Sequence, residues 1–306
     1  MTYIACVTTE KEVLIVMGAV YDINYKSKLM HMPVRISVIL PDLPEEQTPA
    51  QFYASGKKYK VLWLLHGGSG DNFDWLYYTN IVRHVAKRDV IVVSPNALDS
   101  DFANQSQFAG GWLFADFFFE ELMPYVHGFF PASNKPEDNF ITGLSMGGAG
   151  TLMLSFMHPE KFGGMAPLSC SLRKSPFLEE MRGMTGGEFR ALAMADRTRF
   201  PSEWGDPKAG ITIKEINCIC KYPTIGDYLD SCEYTWPRYA EVYDRLPKMF
   251  FGAGTEDLCY KKVLEFKEYT DKLGAKNVTF DFVPGYAHEW DFWDLEIVKV
   301  MDFFGL

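Results

Sequence analysis

Ser145 lies in Gly143-Leu144-Ser145-Met146-Gly147, a G-x-S-x-G segment with an apolar pair before it (Phe140, Ile141) and a helix-like run after it (Leu152, Leu154, Phe156, Met157). A serine hydroxyl lifted on a strand-to-helix turn can attack a carbonyl carbon. Such a turn has no room for side chains beside the serine, which accounts for glycine at 143 and 147. The helix N-terminus that follows favours negative charge. An unassisted serine is a weak nucleophile at neutral pH, so a base and an orienting acid must lie elsewhere. The competing reading of Ser145 is an ordinary N-cap in a glycine-rich turn.

In triads built on such a turn, the acid and then the base follow the serine along the chain. The apolar run 249–253 leads into Gly254-Thr255-Glu256-Asp257. Asp257 is the preferred acid and Glu256 its competitor; the alternative role for Asp257 is N-cap of a helix starting at 258. The run 278–283 leads into Pro284-Gly285-Tyr286-Ala287-His288, which puts His288 on a loop with the order a base requires. His84 and His127 fall inside helix-like segments, His158 ends one, His31 is in an early loop, and His66 precedes the serine. The oxyanion of acyl transfer needs two backbone donors. Met146 supplies one, and the His66-Gly67-Gly68 turn the other, with Gly68 preferred over Gly67 or Ser69. Trp112, after Gly110-Gly111, is the candidate substrate-binding residue. Core packing is the alternative for it, and the main one for Phe114, Phe117, Trp204, Trp236 and Trp290.

The elements that must position these residues alternate. Strands are predicted at 3–7, 13–20, 32–40, 59–65, 90–93, 138–142, 162–169, 249–253 and 278–283. Helices are predicted at 78–88, 112–130 (with Pro124 kinking it or starting a new turn), after the elbow, and at 258–273 and 290–304. This alternation predicts an α/β fold whose mostly parallel sheet is covered on both faces. Residues 171–246 break the rhythm, with helical pieces at 178–181 and 188–196 and a β-like 211–219. A detour of that length is not a bare loop, so one domain over 1–306 with a cap-like insertion at 171–246 is expected.

With 306 residues, 47% of them hydrophobic, the chain can fill one large core. A net charge of −10 argues against nucleic acid and against an anionic membrane surface. The six cysteines (Cys6, Cys170, Cys218, Cys220, Cys232, Cys259) have no zinc spacing, so no metal site is expected, and reduced thiols are favoured over disulfides. No targeting segment is recognisable, which makes the cytoplasm the default location. A small-molecule ester is the expected partner. Homo-oligomers are common enough to be expected, although no segment specifies one.

In order along the chain, WLLHGGSGDNFDWL, GLSMGGAGTLML, HPEKFGGMAPLS, FGAGTEDL and GYAHEWDFWDLEI resemble the esterase D-like branch of the α/β-hydrolase superfamily, over roughly 30–170 and 247–304. That branch holds tributyrin-type esterases, feruloyl (cinnamoyl) esterase domains, S-formylglutathione hydrolases and mycolyltransferase-like proteins. The resemblance implies an α/β-hydrolase fold, a cofactor-free serine esterase, and a triad at Ser145, Asp257 and His288. HEWDFWD is closer to the tributyrin-type and feruloyl esterases; the His-Ser-Tyr-Tyr type segment of S-formylglutathione hydrolases is absent. The leading expectation is hydrolysis of short-chain acyl esters, acetyl or feruloyl groups on plant-derived carbohydrate among them. The alternatives are acyl transfer to a non-water acceptor, S-formylglutathione hydrolase-like thioester cleavage, and a non-catalytic binding protein on the same fold. Met181, Met184 and Met194 in the insertion suit packing or an adaptable partner surface.

Overall fold

The computed structural model describes residues 19–44, 47–105, 111–170, 172–203 and 208–306. The strand expected at 3–7, nearly all of that at 13–20, and Cys6 and Trp204 lie outside the described residues. Eight strands form the main sheet: β1 (Val20–Lys26), β2 (Pro33–Ile39), β3 (Lys60–Leu65), β4 (Val90–Pro95), β5 (Asn139–Leu144), β6 (Gly164–Leu168), β7 (Lys248–Gly254) and β8 (Val278–Val283), in the order β1-β2-β4-β3-β5-β6-β7-β8. From β4 to β8 every pairing is parallel; β2 is antiparallel to both of its neighbours. This is the mostly parallel sheet that the alternation predicts, and an α/β-hydrolase fold.

Lys60–Leu65 shows why the central strands read as unbroken apolar runs. Val61, Trp63 and Leu65 enter the core on one face of the sheet, and Leu62 and Leu64 the core on the other. Side chains alternate with a period of two, and both faces are covered. One cover is the helix Met146–Met157, nearly all of it buried. The other includes the last helix, Trp290–Phe304, where Phe292, Ile297, Val300 and Met301 point at the sheet.

Two expectations about local structure are corrected. The helix expected over 112–130 begins only at Phe114, because Trp112–Leu113 pairs as a short strand with Asn104–Gln105. Its register also slips: Phe117–Leu122 forms a π-helical turn, and α-helix resumes at Met123–Phe129. Pro124 has no N–H to give to the carbonyl four residues back, and the wider turn absorbs that mismatch without breaking the helix. The β-like run 211–219 is instead the helix Ile213–Cys220. Thr212 and Glu215 form a reciprocal capping box at its start, and Ile216 and Ile219 are buried three residues apart. The capping signal T-x-x-E outweighs the β-branched composition.

Between β6 and β7, the insertion gathers its own apolar cluster around Leu178, Phe189, Phe200, Ile216, Ile219 and Tyr228. A buried ionic cluster ties it to the loop after β4. Glu233 Oε2 accepts from Arg173 at 3.0 Å, Glu233 Oε1 lies 2.7 Å from Lys221 Nζ, and Asp101 stands 3.6 Å from Arg173 and 3.8 Å from Lys221. Burial pushes the Asp101 carboxyl up, but Arg173 and Lys221 outweigh it and hold the carboxyl below its ordinary value. Among the described residues no disulfide bridges Cys170, Cys218, Cys220, Cys232 or Cys259. Among the described residues no helix is long and apolar enough to cross a membrane.

Backbones approach closely at the elbow. A Cβ added at Gly147 would lie 2.6 Å from the carbonyl oxygens of both Leu65 and His66. Backbone cannot give way as a flexible side chain can. Gly147→Ala is therefore expected to lower stability by about 1–3 kcal/mol, read as a drop in the chemical denaturation midpoint; an unchanged midpoint would mean that the elbow helix can shift freely.

Candidate active site

The register of the parallel strands collects the residues named above along one edge of the sheet. Leu65 of β3 pairs with Gly143 of β5, Leu144 of β5 with Leu168 of β6, Leu168 with Gly252 of β7, and Gly254 with Val283 of β8. The segments leaving the C-terminal ends of β3, β5, β6, β7 and β8 therefore emerge side by side, where ligands of open parallel sheets bind.

Ser145 has φ 53° and ψ −113°, a left-handed conformation that a side chain adopts only under strain of about 1–3 kcal/mol. Its amide donates to Leu168 O at 3.0 Å and its carbonyl accepts from Ala149 N at 3.0 Å, which hold that conformation. Ser145 occupies the N-cap position, yet its side chain makes no capping hydrogen bond. An ordinary N-cap residue has extended φ/ψ that aim its oxygen at the helix amides; here the positive φ swings the hydroxyl away from them. The hydroxyl instead faces a cavity of about 240 Å³, which His288, Met146, Ser169 and Cys170 also line.

Asp257 is the carboxylate that meets His288: both of its oxygens lie 3.2 Å from Nδ1. Glu256 is exposed and reaches only its neighbour Thr255. The N-cap of the helix Tyr260–Leu273 is Cys259 rather than Asp257, whose Oδ1 accepts from the Cys259 amide at 2.8 Å. Burial pushes the Asp257 carboxyl up, but hydrogen bonds from His288, Ser169 and the Cys259 amide prevail and hold it below its ordinary value. It is thus an ionised acceptor for an Nδ1–H, which leaves the Nε2 lone pair of the imidazole free to take a proton.

Ser169 has no signal in the sequence, since a serine after a strand is commonplace. It is fully buried, has φ 48°, and receives the indole N–H of Trp293 on its hydroxyl oxygen at 2.8 Å. Its own hydroxyl hydrogen is then free to serve Asp257. Trp293 also meets the His288 ring edge-on at 5.1 Å between centroids. The last helix in this way braces both Asp257 and His288.

His66 is the other residue whose part the sequence hid. It is fully buried, and burial holds its pKa below the ordinary value, so the ring is neutral. Nε2 accepts from the Ala97 amide at 2.9 Å, which assigns the proton to Nδ1, 2.7 Å from Gly67 O. The Gly67 carbonyl also accepts from the Gly70 amide at 3.3 Å. Across a trans peptide the Gly68 N–H points opposite to that anchored carbonyl. The amide of Met146, at the first position of its helix, has no partner within the helix.

Trp112 lies away from the serine. It lines a second cavity of about 850 Å³ together with Ser69, Gln105, Arg190 and Asn217. Lys214 and Asp101 line both cavities, so the two are adjacent.

Removal of the Ser169 hydroxyl should be legible in the pH dependence. A carboxyl held low in the folded state stabilises the fold above its unfolded value and loses that contribution as pH falls through the folded one. Ser169→Ala withdraws a donor, so the Asp257 carboxyl rises and acid unfolding, followed by circular dichroism, moves to higher pH. An unmoved acid transition would show that Ser169 does not support Asp257.

The Esterase family model matches residues 27–216. The chain is 26% identical over 286 residues to an acetyl esterase of Caldicellulosiruptor saccharolyticus, a match that covers 93% of this chain and 97% of that one. Among solved structures, it is 28% identical to the fluorophosphonate-binding serine hydrolase F of Staphylococcus aureus, with a TM-score of 0.68 and 94% and 98% of the two chains covered. It is 26% identical to an S-formylglutathione hydrolase of Staphylococcus aureus, with a TM-score of 0.66 and the same coverage, 94% and 98%. A ferulic acid esterase shares the fold at 21% identity and a TM-score of 0.63, over 94% and 97% of the chains.

Proposed function

The chain belongs to the Esterase family and is a carboxylesterase; from that premise we propose that it cleaves short-chain acyl esters through Ser145, His288 and Asp257. One observation carries this reading. A strained serine whose hydroxyl caps nothing shares a cavity with an imidazole that a buried, ionised carboxylate holds in a single tautomer.

His288 Nε2 takes the Ser145 proton as the hydroxyl oxygen attacks the ester carbonyl. Asp257 stabilises the imidazolium that forms. The amides of Met146 and Gly68 receive the oxyanion, each such donor being worth about 3–4 kcal/mol in the transition state. The imidazolium then protonates the leaving alcohol, and water repeats the cycle on the acyl-enzyme.

The two cavities divide the substrate. The smaller, next to Ser145, takes its apolar lining from Met146, Ala149, Leu172 and Leu258, and its size suits an acetyl or similarly short acyl group. The larger offers Gln105, Asn217, Ser69 and the Trp112 ring, partners for a hydroxylated alcohol such as a sugar. The insertion acts as a cap over the site within a single domain, with Lys214 at the junction of the cavities. The acetyl esterase relative supports the short acyl group. Thioester cleavage is a second reading, favoured by the likeness to the staphylococcal S-formylglutathione hydrolase.

Ser145→Ala should lower kcat/KM for p-nitrophenyl acetate by about 10⁴-fold or more and abolish fluorophosphonate labelling. Retention of wild-type activity by the variant would reject the nucleophile. Across acetate, butyrate, octanoate, methyl ferulate and S-formylglutathione, acetate and butyrate should rank highest. A ferulate optimum would reassign the acyl pocket, and an S-formylglutathione optimum would favour the thioesterase.

A further inference from the structure

Two thiols border the cavity that holds Ser145 and His288, and acyl transfer uses neither of them. One donor atom each from Asp257, Cys259 and His288 lie within 4.8 Å of one another. Cys170 lines the same cavity, with its thiol close enough to raise the Cys259 pKa through charge. Carboxylate, imidazole and thiol together offer the O, N and S donors that a borderline-soft divalent cation takes.

The His288–Asp257 pair stands near the spacing that a tetrahedral ion needs. Metal–ligand distances of about 2.0–2.3 Å put neighbouring donors roughly 3.3–3.7 Å apart. His288 Nδ1 and the Asp257 oxygens already stand at 3.2 Å. The cavity, about 240 Å³, has room for the ion and a water.

We propose that Asp257, Cys259 and His288, with Cys170 or water as fourth donor, form an inhibitory site for a borderline-soft divalent cation such as Zn²⁺. The thiol proton leaves to solvent as the sulfur–metal bond forms, so the bound species is a metal thiolate with no change of oxidation state. A cation on His288 Nδ1, the nitrogen that faces Asp257, drives the ring proton to Nε2 and takes the carboxylate as a ligand, so Nε2 has no lone pair left for the Ser145 proton. The binding claim is independent of the esterase reading; the inhibition rests on it.

The test titrates the full chain with Zn²⁺ by equilibrium dialysis, and with Co²⁺ or Cd²⁺ by absorption, where a thiolate-to-metal charge-transfer band reports sulfur ligation. The expected result is one equivalent bound, a charge-transfer band, and ester hydrolysis that Zn²⁺ abolishes and a chelator restores. Cys259→Ser and Cys259→Ala should lose the band and bind Zn²⁺ at least about 10-fold more weakly. Their sensitivity is scored as the ratio of rates with and without metal, so any change in basal rate cancels. Ser145→Ala should keep the band and the affinity. No band in the wild type, or equal Zn²⁺ sensitivity in wild type and both Cys259 variants, overturns the site. A band without any ester hydrolysis leaves the metal site standing and sinks the esterase reading instead.

Discussion

The site depends on a close approach of two backbones. The elbow helix begins so near the end of β3 that a Cβ at Gly143 would meet the Gly147 carbonyl at 2.6 Å and Leu65 Cβ at 2.7 Å, and one at Gly147 would meet two carbonyl oxygens. Only glycine fits on either side, and the chain turns from strand to helix within one residue. Ser145 therefore takes a positive φ, and its hydroxyl leaves the helix it would otherwise cap. The same contact sets the first amides of that helix beside the turn after β3, where His66 anchors the Gly67 carbonyl.

Parallel register does the rest of the assembly. Because strands β3 to β8 run the same way and end nearly level, five connections that are far apart in the chain open onto one edge. A single-residue slip in the pairings that lead to β7 or β8 would carry Asp257 or His288 away from Ser145, since it would also turn the slipped strand's side chains to the opposite face. Support comes from behind the edge: Trp293 on the last helix holds Ser169, Ser169 serves Asp257, and Asp257 holds His288. Each donor to the carboxylate offsets part of the cost of burying its charge.

The insertion is held by a different kind of force. Arg173, Lys221 and Glu233 on the insertion and Asp101 on the loop after β4 form a cluster whose side chains are all at least nine-tenths buried. Buried ion pairs contribute little net stability against apolar packing, but an unpaired member is costly. Such a cluster therefore tolerates few arrangements, which fits its position between the two cavities.

Sequence alone determined the fold class and the chain order of Ser145, Asp257 and His288. Apolar runs of strand length alternating with helical periodicity specify a covered parallel sheet, and the G-x-S-x-G glycines are a direct consequence of local backbone sterics. The serine, the Gly-rich turn after β3 and the histidine after the last strand were legible for the same reason: each is set by neighbours within a few residues. Tertiary structure decided what depends on contacts across the chain. Asp257 and Glu256 are adjacent, and only the packing of the turn after β7 brings the first to His288 and leaves the second in solvent. Ser169 and Trp293, separated by more than a hundred residues, become partners only once β6 and the last helix meet. Trp112 lines the larger cavity, and Trp112–Leu113 pairs as a short strand where helical composition prevails locally. The run 211–219 misleads because β-branched residues favour strands, whereas the T-x-x-E capping signal at Thr212 and Glu215, together with burial at three-residue spacing that only the packed insertion provides, makes it a helix.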